Sequence, residues 1–70
     1  MKRFGEKLRT LRKQHQLTIV KLGEMLGVNN TYVSQMERGK KIPNAAMILK
    51  ISEIFHVSTD KLMKDDLELY

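Results

Sequence analysis

The 70-residue chain has no cysteine, which removes disulfides and thiolate metal sites from any account of its stability. A chain this short lies near the lower limit at which one core holds a fold unaided, so its packing has to be economical. Long apolar runs are missing too: nothing approaches the roughly 18 residues of a membrane span. Met1 to Leu11 is charged where a secretory leader would be apolar, and the reading is of a soluble cytoplasmic protein. Strand patterns are absent apart from the alternation of Leu67 and Leu69 near the end, and no repeat, linker or low-complexity segment occurs.

Reactive groupings are also lacking. His15 and His56 are far apart, with no cysteine or carboxylate at ligand spacing, so no metal site is expected. Asp60, Asp65, Asp66 and Glu68 have neither an apolar pocket to raise a pKa nor a nucleophile to serve. With no serine-histidine-aspartate arrangement and no glycine-rich phosphate loop, neither catalysis nor a cofactor is expected. Five methionines fit as adaptable core filler.

What is present is positive charge, unevenly spread. Met1 to Lys41 holds ten Lys and Arg against Glu6, Glu24 and Glu37, a balance of +7, whereas Ile42 to Tyr70 holds three against five acids, or −2. Such polarity fits a functional basic face and an anionic partner.

The punctuation divides the chain into short pieces with helical period. Phe4, Leu8 and Leu11 predict an amphipathic first helix ending near His15 and Gln16, with Lys2, Lys7, Arg9 and Lys13 on its basic outer face. Thr18 is a natural N-cap for a second helix carrying Leu22, Met25 and Leu26 inward, and Gly27 supplies the left-handed C-cap. Asn29 caps a third helix with Val33 and Met36 inward, closed at Gly39, and Lys40 to Pro43 forms a basic connection. Asn44 caps a fourth with Ala45, Ile48, Ile51 and Phe55 along one stripe, and Ser58 caps a short fifth through Leu62 and Met63. The expected fold is an all-α five-helix bundle whose helices are each too short to stand alone.

Two helices joined by a tight glycine turn, with a small residue (Gly23) at their crossing, make a helix-turn-helix layout. If only Val33 and Met36 turn strongly inward, then Asn30, Thr31, Ser34 and Gln35 stay outside. Their amides and hydroxyls suit base edges in a major groove, where Asn or Gln can address adenine bidentately and Thr offers a methyl to thymine.

The segment "LTIVKLGEMLGVNNTYVSQMERGKKIP" resembles the Cro and phage-repressor family of helix-turn-helix DNA-binding regulators, also called the xenobiotic-response-element family. The ordered agreement covers the Leu-Gly-Val turn, Tyr-Val-Ser within the third helix, Glu-Arg-Gly at its close, Pro43, and Val-Ser at the fifth helix. The resemblance implies a DNA-binding domain over residues 1–64, with 65–70 as a tail. It implies base reading by Asn30, Thr31, Gln35 and Ser34, and backbone contacts from Arg38, Lys40 and Lys41. Arg12 and Glu37 match a structural ion pair of the family. Where relatives often carry a phosphate-contacting glutamine this chain has Ile19, so Thr18 and the helix N-terminal amides are expected to take that contact. Gly23 stands where alanine is more usual. The Tyr32 hydroxyl is read as a further phosphate contact.

The fourth helix carries Met47, Leu49 and Ile54 besides its core stripe, more apolar surface than a monomer requires. Either Leu67, Leu69 and Tyr70 fold back over it or a second subunit covers it, and a homodimer built from these six residues is expected. Two recognition helices about one duplex turn apart would then read an inverted-repeat operator in double-stranded DNA, as befits a bacterial or phage transcriptional repressor. The competing reading is a protein-interaction module, an antitoxin-like or adaptor subunit.

Overall fold

The computed structural model describes all 70 residues, Met1–Tyr70. Five helices follow in order: α1 (Phe4–Gln14), α2 (Ile19–Leu26), α3 (Asn30–Glu37), α4 (Ala45–Phe55) and α5 (Thr59–Met63). The expected caps form. Thr18, Asn29, Asn44 and Ser58 each accept a backbone N–H of the following first turn, and Gly27 ends α2 at φ 73°. Twelve apolar residues drawn from all five helices and the tail make one core, in which Leu8, Leu22, Val33, Met36, Ile51 and Leu62 have no exposed surface. The His15 and Phe55 rings meet edge to face with centroids 4.8 Å apart, tying the end of α1 to α4.

Several expected positions are corrected. Lys7 does not lie on a basic outer face: it is 2% exposed, and its ammonium donates to the carbonyls of Lys61, Lys64 and Leu67 at 2.6, 2.7 and 2.7 Å. Met25 points sideways, because Gly23 shares the inward arc with Leu22 and Leu26 and leaves position 25 about 100° off its centre. Ala45, at the start of α4, is exposed. Among the methionines only Met36 is fully buried, while Met1, Met25 and Met63 are exposed. Leu67 and Leu69 form no strand.

The tail is held against α1 by reciprocal capping. Arg3, at the start of α1, has no side-chain cap of its own. The Asp65 carboxylate supplies one from the far end of the chain, accepting the N–H groups of Lys2 and Arg3 at 2.9 Å each. Lys7 returns the service to one carbonyl within α5 and two beyond it, and Arg3 adds a two-pronged contact to Glu68 at 3.0 Å. Leu69 is thereby drawn into the core at 8% exposure and is withdrawn from the dimer interface expected of it, while the Tyr70 hydroxyl donates to Gln14 of α1. The tail lies along α1 and leaves Leu49 of α4 uncovered at 53% exposure; Met47 and Ile54 are half-buried against the chain's own core.

Replacing Lys7 by Met keeps its volume but takes the ammonium from three carbonyls, of which that of Lys64 keeps a second donor in the Leu67 N–H, and should lower the unfolding free energy by about 2 to 4 kcal/mol in a urea titration. A change within about 0.5 kcal/mol, the range of an ordinary surface substitution, would contradict this role.

The clamp also sets an acid limit. Asp65 is held below its ordinary 3.8 by the Arg3 and Lys2 amides, and Glu68 below its ordinary 4.5 by the Arg3 guanidinium. Carboxylates depressed in the folded state add stability that is present above those ordinary values and lost as pH falls through the lower folded ones. Stability should therefore decline on acidification below pH 4.5, and the doubly neutralised variant Asp65→Asn/Glu68→Gln should show a shallower decline. Identical acid profiles for the two proteins would refute the clamp.

Candidate nucleic-acid interface

The geometry of α3 begins in the turn before it. Gly27 is left-handed, and Lys50 of α4 donates to the Leu26 carbonyl at 3.0 Å, closing the end of α2. Sequence reasoning left Lys50 without a role, since its acceptor lies 24 residues away and no local pattern announces it. A Cβ at Gly23 would stand 2.8 Å from the Val28 carbonyl oxygen, so the missing side chain is what lets the turn and α3 approach α2. The Asn29 carboxamide oxygen accepts the Thr31 N–H at 2.7 Å and starts the helix.

Two side chains of α3, Val33 and Met36, are completely buried, and Tyr32 rests half-buried against the same core. A third anchor is electrostatic. Arg12 donates from Nε to Glu37 Oε2 at 2.7 Å and from Nη2 to Oε1 at 3.2 Å, and its Nη1 donates to the Leu17 carbonyl at 2.9 Å. With side chains 12% and 5% exposed, this expected pair joins α1, the loop before α2 and the end of α3. Gly5 permits the same closeness from α1: a Cβ there would lie 2.5 Å from the carbonyl oxygens of Met36 and Glu37.

On the opposite side of α3, Asn30 and Thr31 are exposed and Ser34 and Gln35 half-exposed. Among the hydrogen bonds within the chain, none engages the side-chain polar groups of these four. The Gln35 carbonyl accepts the N–H groups of Lys40 and Lys41 at 2.8 and 3.3 Å, folding the basic connection back onto the helix. Arg38, Lys40 and Lys41 are exposed and lack a carboxylate partner. Thr18 Oγ1 is engaged as an acceptor by the Lys21 N–H at 3.0 Å, which leaves its hydroxyl hydrogen to donate outward. A short helix thus presents uncommitted amide and hydroxyl groups, flanked by unpaired cations and by a helix N-terminus.

A family model described as helix-turn-helix matches residues 8–62. The chain belongs to the helix-turn-helix family. It is 40% identical over 64 residues to the repressor protein C2 of Salmonella phage P22, covering 91% of this chain and 30% of that protein. It is 40% identical over 63 residues to the transcriptional activator BcrR of Enterococcus faecalis, covering 90% of this chain and 31% of that one. Its fold is similar to that of the P22 c2 repressor protein in a crystal with a synthetic operator, at a TM-score of 0.83 and 38% identity over 90% of this chain and 96% of that chain. This chain therefore spans 30% and 31% of the length of the two sequence relatives. Its helix-turn-helix unit is α2, the turn through Asn29, and α3. No helix is long and apolar enough to cross a membrane.

Because Glu37 and Arg12 share a nearly dry contact, removing one leaves the other charge stranded. Glu37→Ala should cost about 3 to 5 kcal/mol in chemical unfolding. A loss below about 1 kcal/mol, as for a solvent-exposed pair, would contradict the anchoring role.

Proposed function

We propose that this protein binds double-stranded DNA sequence-specifically as a transcriptional regulator, with α3 in the major groove. The observation that carries the reading is the outward face of α3, where Asn30, Thr31, Ser34 and Gln35 keep their polar groups uncommitted. In this reading Asn30, Thr31 and Gln35 discriminate bases with Ser34 beside them, while Thr18, Tyr32, Arg38, Lys40 and Lys41 hold phosphates. The likeness to a repressor crystallised with an operator supports it. Repression by occupying a site is the simplest mode, since it requires affinity alone. A cytoplasmic setting in a bacterium or phage-infected cell follows from that role.

Base readers and phosphate holders separate in binding assays. Gln35→Ala should lose about 1 to 3 kcal/mol on the selected site and little on random duplex, whereas Lys40→Ala should weaken both alike and lower the salt slope by about one. Equal losses for Gln35→Ala on both duplexes would contradict the assignment.

The same reading includes a homodimer on an inverted-repeat operator. With Leu69 in the monomer core, the apolar surface assigned to pairing is Leu49 with the exposed Leu67 and Tyr70 of the tail, together with a depression lined by Met1, Pro43, Ala45, Ile48 and Met63. Sedimentation at micromolar concentration should give a dimer, and Met63→Glu should dissociate it while single half-site binding persists. A monomer at every concentration, and on the duplex, would remove the dimer from the account.

A further inference from the structure

The cations of this chain divide sharply by engagement. Arg3, Arg12, Lys21 and Lys64 meet carboxylates, and Lys7 and Lys50 meet backbone carbonyls. Of the remainder, Arg9 of α1 is exposed and has no partner, and Arg38 at the end of α3 makes only a long 3.4 Å contact from Nε to the Ser34 carbonyl. These two guanidinium groups line the same two clefts. One is an open cleft of about 520 Å³ between α1 and the end of α3, with no apolar side chain in its walls and Lys13 on its rim. The other lies between α1, the start of α2 and α3, and includes Ser34 of the outward α3 face.

Glu37 also borders both clefts but cannot neutralise them, because Arg12 engages both of its carboxylate oxygens. Glu6 lines the first cleft as well but is paired with Arg3 at 3.1 Å, so Arg9 and Arg38 share polar space in which neither forms an ion pair, an arrangement whose like-charge repulsion an outside anion would relieve. Guanidinium forks match phosphate oxygens two at a time. The second cleft includes Ser34, so an anion held there would lie beside the surface read above as base-contacting.

We propose that Arg9, together with Arg38, clamps one backbone phosphate of the bound DNA, making α1 a third element of the nucleic-acid interface, with Lys13 extending it by a turn. This rests on the DNA-binding reading above. Arg9 replaced by Ala should unfold in urea like the parent protein, since it gives up no internal contact. Its DNA binding should weaken equally on selected and random duplex, with the salt slope reduced by about one, so that its deficit narrows about threefold to fourfold between 50 and 200 mM salt. Arg9→Lys should restore the slope while recovering only part of the affinity. The Arg9→Ala/Arg38→Ala double variant should lose less than the product of the single losses, because the two share a phosphate.

An unchanged slope for Arg9→Ala would overturn the proposal, and strictly multiplicative losses would overturn the shared clamp. If instead the parent protein retained no duplex at low salt, the DNA-binding reading itself would fail. Retention with normal discrimination by Gln35 but an inert Arg9 would sink this inference alone.

Discussion

Arg12 is where α1, the α1–α2 loop and α3 are made to agree. An eight-residue helix with two fully buried side chains has little area by which to fix its rotation. Val33 and Met36 set which side of α3 faces the core, but apolar contact is non-directional and tolerates slippage. The forked contact from Arg12 to Glu37 is directional, and the bond from the same guanidinium to the Leu17 carbonyl ties that geometry to the entry of α2. The exposed face of α3 is oriented because its buried end is held in this way. Gly5 and Gly23 serve the same end by omission, since a side chain at either would push α1 or α2 away from the α3 backbone.

A second theme is how a strongly basic chain assigns its charge. Three cations close helix ends and a loop: buried Lys7 for α5 and the tail, exposed Lys50 for α2, and half-buried Arg12 for the loop before α2. The acids at the carboxyl end are engaged likewise, with Asp65 capping α1 and Glu68 meeting Arg3. These engagements leave Lys2, Arg9, Lys13, Arg38, Lys40, Lys41 and Lys61 unpaired, and all but Lys61 of α5 fall in the half of the chain that carries α1 and α3. Structural duty thus takes up much of the charge, and four of the cations left over, Lys2, Arg9, Lys13 and Arg38, line one cleft between α1 and the end of α3.

Local chemistry was legible in the sequence to a high degree. Each cap from Thr18 to Ser58 acts on a backbone group within three residues, so the signal and its partner share a short window. Inward positions on α3 were equally readable, because two apolar residues three apart leave one choice of face. Lys7 and Leu69 were misplaced because they depend on partners that no window contains, whereas Met25 was displaced locally by Gly23 taking part of the inward arc. Lys7 reads as surface because a lysine is ordinarily exposed, and only carbonyls 54 to 60 residues away make its burial tolerable. Leu69 followed from the same cause, since the tail's path is set by Asp65 reaching α1 from the far end of the chain. For the interface, residue types and spacing nominated the face of α3 and the family resemblance paired Arg12 with Glu37, but that Arg9 and Arg38 line the same clefts beside that pair is visible only in three dimensions.

The central claim is that the uncommitted face of α3 reads bases and does more than attract polyanions. Affinity selection of the whole protein against a random duplex library at about 100 mM salt, within the range where phosphate contacts are graded by salt, tests it most directly. The account predicts enrichment of a two-fold-symmetric motif with half-sites about one helical turn apart. Retention of duplex without enrichment of any sequence would contradict it, reducing the face of α3 to a nonspecific polar surface.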